Sequence, residues 1–268
     1  FYASPALSPD GATLAWVEWN HPAMPWDATR LCVGRVLRGA DGAIVAVEQP
    51  RVLAGADGGE SQGESLGEPR WTHDGRLLVI SDRAGAWSVW EAPLDPAAIW
   101  GIPEPGGRVQ AALAGAPQGL RPYPAPGGEI GQPAWVFGQR SYMPLPDGGC
   151  LFLSVREGTG QCFLRSASGQ VTPFAGHPEQ CPVPLAGGGF AWLDAPPDGL
   201  PAITVRQAAV GENAADSAAR PPLCVRRSAP PVLARQDISC AVSPCFPWLL
   251  VTSPSPRDRP ETGLPSPA

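Results

Sequence analysis

One short segment of this chain has the residue spacing of a serine nucleophile. Gly63-Glu64-Ser65-Leu66-Gly67 matches G-x-S-x-G, in which a serine stands on a sharp turn between a hydrophobic strand and a helix and attacks an acyl group. The context differs here, because residues 54–62 are polar and rich in glycine, and a strand-like run follows Glu68-Pro69. Only His73 and His177 come after Ser65 as candidate bases. We therefore expect no catalytic role for Ser65.

Residues that bind metals are scattered along the chain. The three histidines, His21, His73 and His177, lie in a loop, in a turn and in a Gly-His-Pro connector, without clustered carboxylates or thiols. The seven cysteines include no C-x-x-C pair, although zinc sites are built from such short Cys and His spacings. The sequence predicts no metal, no cofactor and buried free thiols, which favour a reducing compartment such as the cytoplasm.

Two polar residues in a loop are the candidate ligand contacts. Gln139 and Arg140 follow Phe137-Gly138 between two strand-like runs. Loops on a rigid scaffold carry a large share of binding residues in proteins. We interpret Gln139 and Arg140 as the polar pair most suited to face a ligand.

An aromatic loop near the start of the chain has two interpretations. Trp19, Met24 and Trp26 could wall a pocket, with Asp27 holding Arg30 or capping the hairpin. Alternatively, the loop packs across its own sheet, which is the commoner use of large aromatic side chains on such a scaffold. We expect the same packing role for five further tryptophans at matching positions: Trp71, Trp87, Trp90, Trp135 and Trp192.

These residues must be positioned by a repeated β-structure. A phrase of a proline, an apolar residue and Asp-Gly, followed by a hydrophobic run, occurs three times. Its Asp-Gly pairs are Asp10-Gly11, Asp74-Gly75 and Asp147-Gly148. The copies recur at spacings of roughly 60 to 75 residues, which is typical of a radial β-array. Asp-Gly between strand-like runs predicts a tight hairpin, because glycine accepts the positive φ of the turn.

Composition sets the fold class. The 268 residues include 32 Gly and 35 Pro with 43% hydrophobic residues, a mixture that breaks helices and punctuates short strands. We predict an all-β fold, a β-propeller with about four recognisable blades in an incomplete ring. Residues 1–205 form this partial propeller, whereas residues 206–268 are rich in Pro, Ala, Ser and Arg and form an irregular tail, either disordered or read in a shifted frame.

Charge and hydropathy exclude two classes of partner. The net charge is −6 and no basic patch is interleaved with aromatic residues, which argues against nucleic acid. No apolar run approaches the roughly 18 residues of a membrane span. We therefore expect neither nucleic acid nor a membrane as a partner.

Three segments resemble the N-terminal propeller of bacterial serine peptidases of the prolyl oligopeptidase family. The first lies between Ser8 and Thr29 and contains residues 21–27 (HPAMPWD), the second lies between Glu64 and Trp87 and contains residues 81–87 (SDRAGAW), and the third is residues 132–138 (QPAWVFG). The first two phrases are the more specific and are similar to the dipeptidyl-aminopeptidase and acylaminoacyl-peptidase branch. The resemblance covers about residues 1–205.

The resemblance implies a role beside a catalytic domain. In that family, the propeller sits over an α/β-hydrolase domain with a Ser-Asp-His triad and restricts its site to short peptides. The chain is then a substrate-gating propeller, truncated before the hydrolase domain and inactive alone, with peptide substrates as its partners. The alternative is a free-standing propeller that binds a protein or peptide.

Overall fold

The computed structural model describes residues 1–55, 63–92, 94, 119–186, 188–196, 200–207 and 222–227. Every regular element among these residues is a β-strand. The strands form four four-stranded antiparallel sheets, and within each sheet they follow one another in chain order. Such successive meanders are the blades of a propeller. The prediction of an all-β propeller is confirmed.

The strand bounds define the four blades. The first blade contains β1 (Tyr2–Leu7), β2 (Thr13–Glu18), β3 (Arg30–Arg38) and β4 (Ile44–Gly55), and the second contains β5 (Leu66–Trp71), β6 (Leu77–Ser81), β7 (Ser88–Ala92) and β8 (Arg121–Pro122). The third contains β9 (Tyr142–Pro144), β10 (Cys150–Arg156), β11 (Thr159–Arg165) and β12 (Val171–Pro173). The fourth contains β13 (Val183–Pro184), β14 (Gly189–Asp194), β15 (Ala202–Gln207) and β16 (Leu223–Arg227).

The repeated Asp-Gly phrase forms the hairpin between the first two strands of blades one to three. In the second blade, Gly75 adopts a φ of +84°, and its N–H donates to the carbonyl of Thr72 at 3.0 Å. The Thr72 hydroxyl donates to Asp74 and also accepts the N–H of Arg76 at 2.9 Å. The bond from Thr72, assisted by Arg76, lowers the pKa of Asp74. A short side-chain network therefore fixes this turn.

The blades pack face to face through alternating side chains. Along β6, Leu77 and Val79 join a core with the first blade, whereas Leu78 and Ile80 join a core with the third. All five residues of β6 are buried, because both faces of the blade are covered. A third core joins the third and fourth blades and includes Leu151, Cys162, Leu164, Phe174, Phe190 and Trp192.

Two polar side chains, those of Arg206 and Cys150, are buried in these cores. The guanidinium of Arg206 lies 4.5 Å from the ring centroid of Phe174 and 5.0 Å from that of Trp192, and it donates to the carbonyl of Ala175 at 2.8 Å. Burial lowers the pKa of Arg206 and raises the pKa of the Cys150 thiol to about 12. Such a thiol is a packing group and not a nucleophile at neutral pH.

The free cysteines of the described residues are mostly packed in the cores. Cys32, Cys150, Cys162 and Cys181 are buried, and Cys224 is exposed.

Among the described residues there is no helix long and apolar enough to cross a bilayer.

Two strands complete the first and the fourth blade. β1 precedes the Asp10-Gly11 turn and pairs with β2 through a bulge. β16 lies within the segment predicted to be a tail, where it pairs with β15 as the last strand of the fourth blade. Residues 208–221 and 228–268 of that segment lie outside the described residues.

The turn network predicts an acid dependence of stability. Asp74 has a lowered pKa in the folded chain, so its contribution is present above the unfolded value of 3.8 and is lost as pH falls through the folded value. The variant Asp74→Asn should therefore show a smaller fall in Tm between pH 7 and pH 3 than the parent chain.

Asp147→Asn is the matched control for this comparison. It alters the same position of the third turn, where Leu145 replaces the hydroxyl donor Thr72. Thermal melts followed by circular dichroism measure both variants. An acid-induced fall in Tm that is unchanged by Asp74→Asn would show that the turn network does not carry this dependence.

Candidate functional site

The first strands of blades one and two carry matching bulges. Ser4 in β1 and Glu68 in β5 have φ values of +53° and +49°, and each precedes a proline. The strand register shifts at the same points, as expected for bulges. Among the described residues, β1 and β5 pair through one edge only, with β2 and β6. Their other edges therefore pair with no strand in the described part of the chain and border the centre of the array.

A channel groove runs along these edges. We define it as the space of about 690 Å³ lined by β1, by residues 68–71, by residues 137–139 and by Met143 and Pro144. Its charged groups are Glu68 and Arg70. The Arg70 guanidinium donates to the carbonyl of Gln139 at 2.9 Å and lies 3.5 Å from the Glu68 carboxylate. The two charged side chains of the groove are thus already paired with each other.

A second, more apolar space joins the end of the groove. This mouth cavity has a volume of about 320 Å³. Its aromatic lining residues are Phe1, Trp19, Trp26, Trp87, Trp135 and Phe137. Ser4, Glu68, Phe137 and Gln139 line both spaces. The two volumes are therefore adjacent, and the mouth cavity is the more apolar of the two.

Glu68 holds the second and third blades together at the wall of this site. Its carboxylate accepts the backbone N–H of Ser141 at 2.8 Å and the Ser141 hydroxyl at 2.6 Å. The Glu68 carbonyl accepts the Tyr142 hydroxyl at 2.6 Å, and burial raises the pKa of Tyr142 well above its ordinary value. Glu68 is only 7% exposed. It therefore positions the start of β9 and is not a free charge for a ligand.

An exposed aromatic segment forms one side of the mouth cavity. Trp135 and Phe137 are 66% and 81% exposed, and the ring of Trp135 lies 4.1 Å from that of Trp26. The expectation that Trp135 fills an inter-blade core is wrong, because the connector before β9 carries it outward. Trp87 and Trp192 are buried as expected, and Trp71 and Trp90 pack partly buried against a core.

The aromatic loop between β2 and β3 has both of the roles considered for it, packing on its own blade and lining a cavity. Trp19 is buried, with its ring 5.5 Å from that of Phe1, whereas Met24 and Trp26 line the mouth cavity. Asp27 closes the loop on itself, accepting the N–H of Met24 at 2.9 Å. Arg30 pairs with Glu18 at 2.6 Å. The loop therefore both packs on its blade and walls the site.

The structure separates the two predicted ligand contacts. Gln139 lines both the mouth cavity and the channel groove, and its amide donates to the carbonyl of Pro133 at 3.4 Å. Arg140 is turned toward the fourth blade, where its Nε donates to the carbonyl of Cys181 at 3.4 Å. Its carbonyl accepts the N–H of Cys181 at 2.8 Å. A ligand in the site would meet Gln139 and not the Arg140 guanidinium.

Sequence reasoning did not single out Glu68 and Arg70. Both lie in the segment from Glu68 to Gly75, which aligns without a gap with the segment from Ser4 to Gly11 and shares its proline and its Asp-Gly. That alignment places Glu68 opposite Ser4, at the bulge, and could have marked it as the charged residue of an inner strand. Its partner Ser141 lies 73 residues away, which no local pattern reveals.

Ser65 is held in a geometry unlike that of a nucleophile. Its side chain is fully buried, and its hydroxyl donates to the carbonyl of Pro25 at 2.7 Å. Its backbone N–H donates to the Asp82 carboxylate at 2.9 Å. The strand β5 follows directly, so the helix that an exposed nucleophile turn requires is replaced by a strand.

The histidines are placed apart from one another. His21 borders the mouth cavity, whereas His73 is exposed in a turn and His177 is exposed in the connector between β12 and β13. Among the described residues, no three His, Cys, Asp or Glu side chains form a group that could hold a metal ion.

The fold is similar to that of known hydrolases. A solved puromycin hydrolase is 23% identical with a TM-score of 0.60, and the match covers 88% of this chain and 30% of that one. A puromycin-hydrolyzing peptidase from Mycobacterium tuberculosis is 25% identical with a TM-score of 0.61, over 86% of this chain and 30% of that one. Prolyl oligopeptidase B from Galerina marginata is 12% identical with a TM-score of 0.55, over 88% and 28%.

These matches confirm the predicted resemblance to the propellers of the prolyl oligopeptidase family. The chain spans about 30% of the length of the puromycin-hydrolysing chains. No protein-family model matches the chain. A comparison with curated proteins also gives no match.

Removing the Glu68 carboxylate should loosen the contact between blades two and three. In Glu68→Gln an amide N–H₂ replaces one acceptor oxygen, so one of the two Ser141 donors is left facing a donor. We expect a loss of about 2–3 kcal/mol in the free energy of unfolding, the scale of a buried hydrogen bond to a charged group. Urea unfolding followed by circular dichroism measures the loss.

Glu91→Gln is the control for this substitution. Glu91 pairs with Arg76 at 3.2 Å in a half-exposed position, where an ion pair contributes about 1 kcal/mol or less. Equal losses for Glu68→Gln and Glu91→Gln would show that the Glu68 contact does not hold the blades together.

The burial of Ser65 predicts that this chain does not react with a fluorophosphonate probe. The hydroxyl lacks both a base and access to the probe, so neither the parent chain nor Ser65→Ala should be labelled on a gel. A serine protease in the same gel serves as the positive control. Labelling of the parent chain that Ser65→Ala abolishes would contradict this assignment.

Proposed function

We propose that this chain is the substrate-gating propeller of a serine peptidase of the prolyl oligopeptidase family. It would admit short peptides to an α/β-hydrolase domain that carries the catalytic triad and would orient their ends there. The observation that supports this proposal best is the similarity of its fold, over 86% of the chain, to a puromycin-hydrolyzing peptidase. The phrases at residues 21–27 and 81–87 favour the bacterial dipeptidyl-aminopeptidase and acylaminoacyl-peptidase branch. The buried free thiols favour a reducing compartment such as the cytoplasm.

The dimensions of the site support a small peptide as the ligand. The mouth cavity and the channel groove have volumes of about 320 and 690 Å³, which is the range of small-ligand sites. A folded protein binds through a broad surface of about 800 Å² on each partner, whereas a concave space of this size would hold a short extended segment. Such a ligand is the kind that the proposed gating requires.

The chemistry of the described residues supports binding and not catalysis by this chain. No described serine is hydrogen-bonded to a histidine, and Ser65 is buried in a strand-forming segment. The groups that line the site are aromatic rings, backbone edges and the paired charges of Glu68 and Arg70. Such groups hold and orient a substrate, while the nucleophile, the base and the acid would come from the hydrolase domain.

A free-standing peptide-binding propeller is the second candidate function. One observation favours it: the described residues of the first three blades form the mouth cavity and the channel groove without any other chain. In this case the site would bind a peptide and release it unchanged. The two functions differ in whether a hydrolase domain accompanies the propeller.

Reading the genomic DNA beside the coding region tests the proposal. In all frames, we expect a hydrophobic strand, G-x-S-x-G and a helix, followed by Asp and His in that order. A protein that joins both parts should react with a fluorophosphonate probe and hydrolyse a tripeptide anilide much faster than a 30-residue peptide. Absence of the hydrolase sequence, or equal hydrolysis of both lengths, would overturn gating and leave the binding module.

A further inference from the structure

The mouth cavity has the composition of a site for a neutral ring. Six aromatic side chains line it, and two of them, Trp135 and Phe137, remain mostly exposed to solvent. Contiguous exposed aromatic surface on a protein marks a place where another apolar group binds. Contacts between aromatic rings also contribute binding free energy beyond that of the apolar area they bury.

The charged groups at the cavity are already hydrogen-bonded. Glu68 is the one Asp or Glu among the described lining residues, no Arg or Lys is among them, and the α-ammonium group of Phe1 donates to the carbonyl of Trp19 at 2.8 Å. Both oxygens of the Glu68 carboxylate already accept hydrogen bonds from Ser141. A Lys or Arg side chain would therefore lose its water without gaining a free carboxylate, and burying an unpaired charge is strongly unfavourable. The cavity favours a neutral ligand.

Its volume limits the ligand to one large side chain or its equivalent. About 320 Å³ lies at the lower end of the range for ligand sites, whereas the adjoining groove of about 690 Å³ has room for backbone. The groove is bordered by the edges of β1 and β5 that pair with no other described strand, although the carbonyls of Ala6 and Glu68 accept side-chain hydrogen bonds. Strand edges are natural partners of an extended peptide. Gln139, which lines both spaces, lies where the two parts of such a ligand meet.

We propose that the mouth cavity binds the aromatic side chain of a peptide whose backbone lies in the channel groove. The proposal rests on the proposed function only in taking a peptide as the ligand. It adds a preference for Phe, Tyr or Trp that arises in the propeller itself. Trp26, Trp135 and Phe137 form the contact surface for the ring.

Binding of blocked tripeptides to the whole chain tests this subsite. Titration calorimetry compares acetyl-Gly-Phe-Gly-amide with the peptides that carry Ala, Lys or Glu in the middle. We expect the Phe peptide to bind at least tenfold more tightly than each of the others. Equal affinity for Phe and Ala, or tighter binding of Lys or Glu, would overturn the subsite.

Substitutions locate the binding. Trp135→Ala and Phe137→Ala each remove an exposed ring, so the chain should still fold. Each substitution should lower the affinity for the Phe peptide about tenfold or more. Leu223→Ala removes an apolar side chain of similar exposure, 68%, from the fourth blade and should leave the affinity unchanged. Unchanged affinity in both ring variants would place the binding elsewhere and overturn the proposal.

The result is independent of the hydrolase question. The titration uses this chain alone, so selective Phe binding without a hydrolase sequence in the flanking DNA supports the subsite and overturns gating. A hydrolase sequence without selective Phe binding supports gating and overturns the subsite.

Discussion

Burial of the second and third blades on both faces is the constraint on which the rest of this structure depends. β6 shows it most clearly, because Leu77 and Val79 pack toward the first blade while Leu78 and Ile80 pack toward the third. A sheet covered on both sides cannot alternate apolar and polar residues, so the polar groups move to the turns and the strand edges. The Asp-Gly turns and the bulged inner strands are where these groups appear.

The candidate site follows from this arrangement. Once side chains fill the spaces between blades, the first strand of each blade is left with an edge toward the centre, and there the bulges at Ser4 and Glu68 lie. Glu68 uses its carboxylate to fasten β9 through Ser141, and this contact anchors the connector that carries Trp135 and Phe137. The aromatic mouth thus depends on a polar contact several residues away from its rings.

Local patterns predicted most of the fold and part of the site. Asp-Gly with a preceding Ser or Thr dictates a hairpin through bonds within a few residues, so the turns at Asp10 and Asp74 could be read from sequence. Trp135 was misplaced because its periodicity resembles that of the buried tryptophans, while its position depends on the path of a connector. Glu68 and Ser141 could not be paired from sequence, since only the packing of two blades brings them together.

Photo-crosslinking tests the central claim, that the inner mouth of this propeller receives a peptide, most directly. A tripeptide with p-benzoyl-phenylalanine in the middle would be irradiated with the chain and the adducts mapped by mass spectrometry. The account predicts adducts on Met24 and on the segment from Trp135 to Phe137, reduced by excess unlabelled Phe peptide. Adducts confined to outer strands such as β4 or β16, or adducts that the Phe peptide does not reduce, would contradict it.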